Sequence, residues 1–339
     1  MTYWYPGVIM AIKLLKEVYP GVPVILGGIY ASLSFEHAAG RSGADIVLRN
    51  FEIQKLNEIL ERDMDLSPEN ILNETIDFSW YPKSRYAVLK TSLGCPFNCS
   101  YCAQRLLNPE FMLKSIDKAV EEFKILYGMG IKNFAFYDDA LLLDKKHITG
   151  YFEKILSLGM PAKFYTPNGL HAKSVSGEIA GLMRKLDFIK PILSLETTDP
   201  EKERTWHDKV SLNEFKNAVS FLKEAGYRHG EYSAYILLGA PGSDLGETKE
   251  AVDLVHGMGA NVSLSEYSPV PGTSMGEGFL DAMAEPLLQN NSVFPALRSS
   301  DWESAQGLKN YARTLNSTWG FPSPDPGANG KVIEGEIRV

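Results

Sequence analysis

The stretch TSLGCPFNCSYCAQ, residues 91–104, contains Cys95, Cys99 and Cys102, the three cysteines of this 339-residue chain. Their spacing is C-x-x-x-C-x-x-C, directly after the strand-like run YAVLKTS. Pro96 and Asn98 make the loop a tight, nonrepetitive turn. Three thiolates gathered there could hold a metal. A structural zinc site is closed by four ligands. The chain has no fourth cysteine, and His37 and His147 are the nearest histidines in sequence. Soft thiolates also suit an iron–sulfur cluster. A cubane held by three of them keeps one iron open for chemistry. Three readings stand at this point: a cluster with an open iron, zinc with a distant fourth ligand, or buried or reactive free thiols.

Outward from the loop, strand and helix patterns alternate. The strand-like runs are YAVLKTS, KNFAFYDDA, AKFYTPNG, KPILSLET, EYSAYILLG and NVSLSEYSP. Between them lie helical patterns such as Ile116, Ala119, Val120, Phe123 and Tyr127 on one face, and Leu212, Phe215, Val219 and Leu222 on another. Asp244 and Glu247 stand at capping-box spacing at the start of a third. Such alternation predicts α/β architecture with a parallel sheet and short crossovers. Six units are fewer than the eight of a closed barrel, so the expectation is a six-unit partial (β/α) barrel over residues 84–320. Its chemistry should sit at the carboxyl ends of the strands.

Ahead of the barrel, residues 1–61 read as part of an open parallel α/β domain. Val8, Ala11, Ile12, Leu15 and Val18 recur at helical spacing. VPVILGG and ADIVLR read as strands, ASLSFEHAAGRSG as one short helix, and EIQKLNEIL as another. Residues 62–83 are polar and without period, a linker. Residues 321–339 are a Pro/Gly-rich tail.

The composition narrows the class. A hydrophobic fraction of 44% is ordinary for a globular chain with a proper core. A net charge of −8 gives no global footprint for nucleic acid. No apolar stretch is long enough to span a membrane, and the N-terminus does not read as a signal peptide. An odd cysteine count argues against a disulfide framework and for the reducing cytoplasm.

The cysteine loop, with the aromatic Tyr101 before the third cysteine, resembles the radical SAM superfamily. The resemblance implies a [4Fe–4S] cluster on Cys95, Cys99 and Cys102. It implies S-adenosylmethionine (SAM) on the open iron, reductive cleavage to a 5′-deoxyadenosyl radical, and an electron donor such as flavodoxin or ferredoxin. By the same resemblance, Asp138 or Asp139 in FYDDALLL would meet the SAM amino group, although the family's Gly-Gly-Glu is absent there. Glu196 in ILSLETTDP would meet the ribose or amine, and Lys209 in TWHDK the carboxylate. Gly239 in YILLGAPGS would let the backbone approach the adenine, and SEYSPVPGT, with Tyr267, ends the sixth strand where the family's backbone does the same. Asn168 and His171 are further candidates for the cavity, against a plain turn and a structural histidine.

The front segment resembles part of the cobalamin-binding domain found ahead of the barrel in one large subfamily. It shows helix, strand, Gly27-Gly28 and a short helix, without a D-x-H-x-x-G stretch. A further strand–helix set would be expected upstream, so the sequence predicts weak cobalamin binding, with cobalamin-dependent methyl transfer or rearrangement left open. The competing class is a metal- or cluster-stabilised binding module or electron carrier without SAM turnover. Neither the small-molecule or peptide substrate nor the oligomeric state is legible.

Overall fold

The structure is a computed structural model, and it describes residues 1–50, 52–62, 67–81, 84–207, 209–291 and 302–319. The 321–339 tail lies outside the described residues.

The front segment runs α1 (Tyr5–Val18), β1 (Ile25–Leu26), α2 (Gly28–Leu33), α3 (Phe35–Arg41), β2 (Ile46–Val47) and α4 (Ile53–Leu60). Pro6 lies in the first turn of α1, where its missing N–H leaves no bond unmade. β1 and β2 pair in parallel, Ile25 opposite Ile46 and Leu26 opposite Val47. The single helix expected after Gly28 breaks in two at Ser34. The apolar stripe of α1 is not a buried face. Ile12 is buried, but Leu15 and Val18 are 46% and 64% exposed.

The linker is more ordered than its composition suggests. α5 (Pro68–Asn73) lies within it, begun by Ser67, whose side chain accepts a hydrogen bond from the Asn70 N–H. Ser followed by Pro at N1 is a helix start written in the sequence. The residues after α5 are fastened to the barrel by a buried ion pair. Lys114 Nζ donates to Glu122 at 2.7 Å and to the Glu74 carbonyl at 2.9 Å. The other Glu122 oxygen accepts from the Ile76 N–H at 2.9 Å.

The barrel follows the expected order. Its first half contains β3 (Ala87–Leu89), β4 (Ser92–Leu93), α6 (Gln104–Leu107), β5 (Met112–Leu113), α7 (Ile116–Gly128), β6 (Asn133–Phe136), α8 (Lys145–Ser157) and β7 (Lys163–Tyr165). The second contains β8 (Leu170–His171), α9 (Gly177–Lys185), β9 (Ile192–Glu196), α10 (Pro200–Thr205), α11 (Leu212–Glu224), β10 (Ser233–Leu238), α12 (Leu245–Gly257) and β11 (Asn261–Glu266). α13 (Leu280–Ala284) and α14 (Trp302–Ser317) follow. β3, β6 and β7 pair in parallel, as do β8, β9, β10 and β11. The two sheets meet where Phe164 bridges Phe188 in parallel and the Ile189 N–H donates to the Phe164 carbonyl. β7 and β8, with no helix between them, belong to one unit, so spatial order follows chain order around a six-unit partial barrel.

Alternation on the strands fixes the core. Leu89, Phe134, Phe136, Phe164, Leu193 and Ile236 are buried among the helices. Phe136 stacks on Phe164 and Phe188, both at 5.8 Å. Burying each such ring contributes about 1.5–3 kcal/mol. Of the two caps with box spacing, Ser211 and Glu214 form the reciprocal one. Asp244 caps α12, but the Glu247 carboxylate turns to Lys202 instead.

Candidate active site

The cysteine loop leaves the carboxyl end of β3 and is closed by a short antiparallel ladder. Ser92 and Leu93 of β4 pair with Leu113 and Met112 of β5. Gly94 has φ +84°, and a Cβ there would lie 2.0 Å from the Glu110 carbonyl oxygen. Glycine is therefore the residue that lets the two ends of the loop meet. Gly94→Ala should open the base of the loop and sharply reduce iron uptake, while the barrel's far-ultraviolet circular dichroism stays unchanged. Normal iron content in that variant would count against this reading.

The carboxylates Asp138 and Asp139, just past β6, hold the start of the loop. Asp138 Oδ1 accepts from the N–H and hydroxyl of both Thr91 and Ser92, at 2.6–2.9 Å. Burial raises the Asp138 pKa, and these bonds oppose that rise without cancelling it. Its Oδ2 is buried with no hydrogen-bond partner among the described residues. Asp139 accepts from the Gly94 N–H at 3.0 Å and faces Lys90 at 3.8 Å. Asn168 Nδ2 donates to the Asp138 carbonyl at 3.1 Å.

Cys95 and Cys99 are buried and Cys102 is exposed. Burial pushes the Cys95 thiol up to about 11. The Phe97 N–H and Lys209 pull it down, while Cys99 and Cys102 add to the rise. Burial likewise raises Cys99, against the pull of Lys209. The three thiols are thus within electrostatic reach of one another and of one ammonium. Among the described residues no three His, Cys, Asp or Glu side chains stand close enough to share a single metal ion. A cubane makes a different demand, one thiolate on each of three irons at separate corners. Three soft donors on one tight loop beside a fixed cation fit that demand better than they fit tetrahedral zinc.

Across the mouth of the barrel, Glu196 ends β9 with φ +71°, a conformation that costs a non-glycine residue about 1–3 kcal/mol. The ladder to β10 shifts register there, Tyr235 opposing Ser194 and Ile236 opposing Glu196. Such a bulge re-aims a side chain. Glu196 meets Lys209 Nζ at 2.9 Å, both largely buried. Burial pulls the Lys209 pKa down, but Glu196 and the thiols of Cys99 and Cys102 outweigh it and leave the ammonium above its ordinary value. Lys209 also lies 5.8 Å from the Tyr101 ring centroid. Tyr101 packs edge-on against Trp206 at 6.1 Å. Trp206, Leu237 and Tyr267 form a second apolar cluster, against which Tyr101 and Met275 pack. The Met275 N–H donates to the Ser100 carbonyl, so the chain after β11 is tied to the cysteine loop. The Tyr267 ring is buried in that cluster, and burial raises its hydroxyl pKa. Gly239, after β10, has φ +74° and open space where a Cβ would stand.

The sequence therefore named residues that the fold brings together: Cys95, Cys99, Cys102, Tyr101, Glu196 and Lys209. Others it did not name. Phe97 is held edge-on by His171 at 4.7 Å and capped by the Lys173 ammonium at 4.0 Å from its centroid. Burial, with Lys209 and Lys173, lowers the His171 pKa to about 3, so its imidazole is neutral near pH 7. Lys90, Thr91, Ser92 and Trp206 likewise carried no motif of their own. Beside the loop, a cavity of about 580 Å³ opens between the carboxyl ends of the front strands, at Ile25, Gly27 and Leu48, and Leu93 and Asn108 flanking the cysteines.

A parallel partial barrel with a three-thiol loop after its first strand defines a cofactor-dependent α/β class. Residues 89–255 match the radical SAM superfamily, and the chain carries a radical SAM domain. That superfamily works with a [4Fe–4S] cluster and SAM. Among relatives, the chain is 22% identical over 309 residues to the anaerobic magnesium-protoporphyrin IX monomethyl ester cyclase of Cereibacter sphaeroides, covering 78% of this chain and 49% of that protein. It is 24% identical over 200 residues to an uncharacterised methyltransferase of Pyrococcus horikoshii, covering 57% and 41%. The chain thus spans about half or less of the length of these curated relatives. In fold it resembles the radical SAM methyltransferase TsrM of Kitasatospora setae, solved with cobalamin and a [4Fe–4S] cluster. The TM-score is 0.68 at 16% identity, over 82% of this chain and 63% of that one. Among the described residues no helix is long and apolar enough to cross a membrane.

Proposed function

We propose that this protein is a radical SAM enzyme whose cluster is held by Cys95, Cys99 and Cys102. The observation that carries the reading is the set of three thiols within electrostatic reach of one another and of Lys209, at the carboxyl end of a parallel barrel. When bound, the cluster and SAM, given one electron from a donor such as flavodoxin or ferredoxin, supply a 5′-deoxyadenosyl radical that takes a hydrogen atom from the substrate. The chain's own residues then have distinct duties. Lys209 presents an ammonium to the SAM carboxylate, and Glu196 an acceptor to its amine or ribose. Tyr101 and Trp206 wall that side and exclude water. Gly239 leaves room for the adenine, and Tyr267 backs the wall. Asp138 and Asp139 position the cysteine loop through one oxygen each, bonded to Thr91, Ser92 and Gly94, and the second Asp138 oxygen stays open to an amino group.

The test is anaerobic. The protein is reconstituted with iron and sulfide, reduced with dithionite and given SAM, and 5′-deoxyadenosine is sought by chromatography. Its appearance supports the reading. A cluster without that product favours an electron carrier or binding module. Glu196→Ala should weaken SAM binding at least about tenfold, the loss expected of a charge-assisted hydrogen bond, and leave the cluster spectrum intact. Unchanged SAM affinity would remove Glu196 from the site.

A second reading, cobalamin-dependent methyl transfer or rearrangement, is favoured by the cavity between the front strands and the loop. Stoichiometric uptake of hydroxocobalamin, followed by its visible spectrum, supports it. Absence of uptake by this chain removes it.

A further inference from the structure

The far end of the barrel holds a cavity that the SAM chemistry does not use. It measures about 590 Å³ and opens where β6 and β7 begin, at Asn133 and Lys163. The cysteine loop follows the opposite ends of the strands. Its floor is apolar, with Ile155, Phe164 and Leu186 buried, and the apolar wall left open belongs to Leu156, 38% exposed, and to the half-buried Met160 and Ala162. That volume lies within the range of small-molecule pockets. The lining carries three cations, Lys132, Lys163 and Lys185, against one anion, Asp187. This bias runs against a chain whose net charge is −8. Lys132 is occupied, its ammonium 2.9 Å from the Tyr127 ring centroid. Lys163 and Lys185 are exposed, and neither ammonium has an ion-pair or hydrogen-bond partner among the described residues. An apolar floor asks for a hydrocarbon body, and two unpaired ammonium groups beside it ask for an anionic head.

We propose that this crevice at the amino-terminal ends of β6 and β7 binds an amphipathic carboxylate, its chain on Leu156, Met160 and Ala162 and its head between Lys163 and Lys185. The proposal is independent of the cluster reading and can fail or hold separately from it. Charge attracts the head, and desolvation of the chain supplies most of the affinity. A short carboxylate or a cation of the same length should therefore bind far less well.

The test is calorimetric titration of the full chain with decanoate, with acetate and decylammonium as controls. Saturable, one-to-one heat is expected with decanoate alone. Lys163→Glu/Lys185→Glu should lower decanoate affinity about tenfold, the size expected of two reversed surface charges, and leave the melting curve unchanged. Leu156→Glu, which puts a charge on the cavity wall, should also weaken it. The proposal is overturned by any of three results: no saturable decanoate heat, equal binding of decylammonium, or an affinity that ignores both variants.

Discussion

Cys99→Ala should yield a folded protein with no cluster. The wild-type chain, reconstituted anaerobically, should turn brown and show broad thiolate-to-iron absorbance across the visible range. The variant should stay colourless and carry iron at background level. Three thiolates are the complete protein ligand set of such a cluster, and the chain has no fourth cysteine to substitute. Cys99 is buried, and neither Cys95 nor Cys102 can take its corner without moving the loop. Alanine is smaller and apolar, so the apo fold should survive, as circular dichroism would show. SAM cleavage should fall to background. A Cys99→Ala protein that keeps the visible spectrum would refute the ligand assignment. One that keeps bound zinc instead would revive the structural-metal reading.

Glu122→Gln should destabilise the protein by about 3–5 kcal/mol, because it strands the Lys114 ammonium in the core. The two side chains are 3% and 1% exposed. The same pair fastens residues 74–76 to the barrel, through the Glu74 carbonyl and the Ile76 N–H. Asn73 adds a bond to the Ser115 N–H at 2.9 Å. The double variant Lys114→Met/Glu122→Leu should lose less than Glu122→Gln, since it leaves no unpaired charge, though two backbone groups lose partners. Urea unfolding of the three proteins measures both statements. A single variant within about 0.5 kcal/mol of wild type, the ordinary range for surface changes, would mean that water reaches the pair.

These two results bear on different parts of the fold, and so differ in how readable they were. The cysteine loop could be read directly, because its ligands lie within eight consecutive residues and their spacing is the chemistry. The six barrel strands could be read too. Each is a short apolar run between amphipathic helices, and periodicity is a local property of the chain. Glu196 was legible at the end of a strand-like run, and Lys209 in the TWHDK stretch thirteen positions on.

Contacts between distant segments were not legible. Asp138 stands 47 residues from Thr91, and only the pairing of β3 with β6 turns its carboxylate under the cysteine loop. Glu122 sits on a helix face that period alone assigns to apolar residues, and Lys114 justifies its burial. His171 is neutral because the barrel encloses it beside two lysines. The stripe on α1 recurs at helical spacing, yet Leu15 and Val18 stay exposed, because spacing along the chain does not say what covers a face. Composition and spacing along the chain fix which elements form and which residues can ligate. Which charges are paired, buried or re-aimed depends on partners that folding alone brings within a few ångströms, where desolvation and Coulomb energies act.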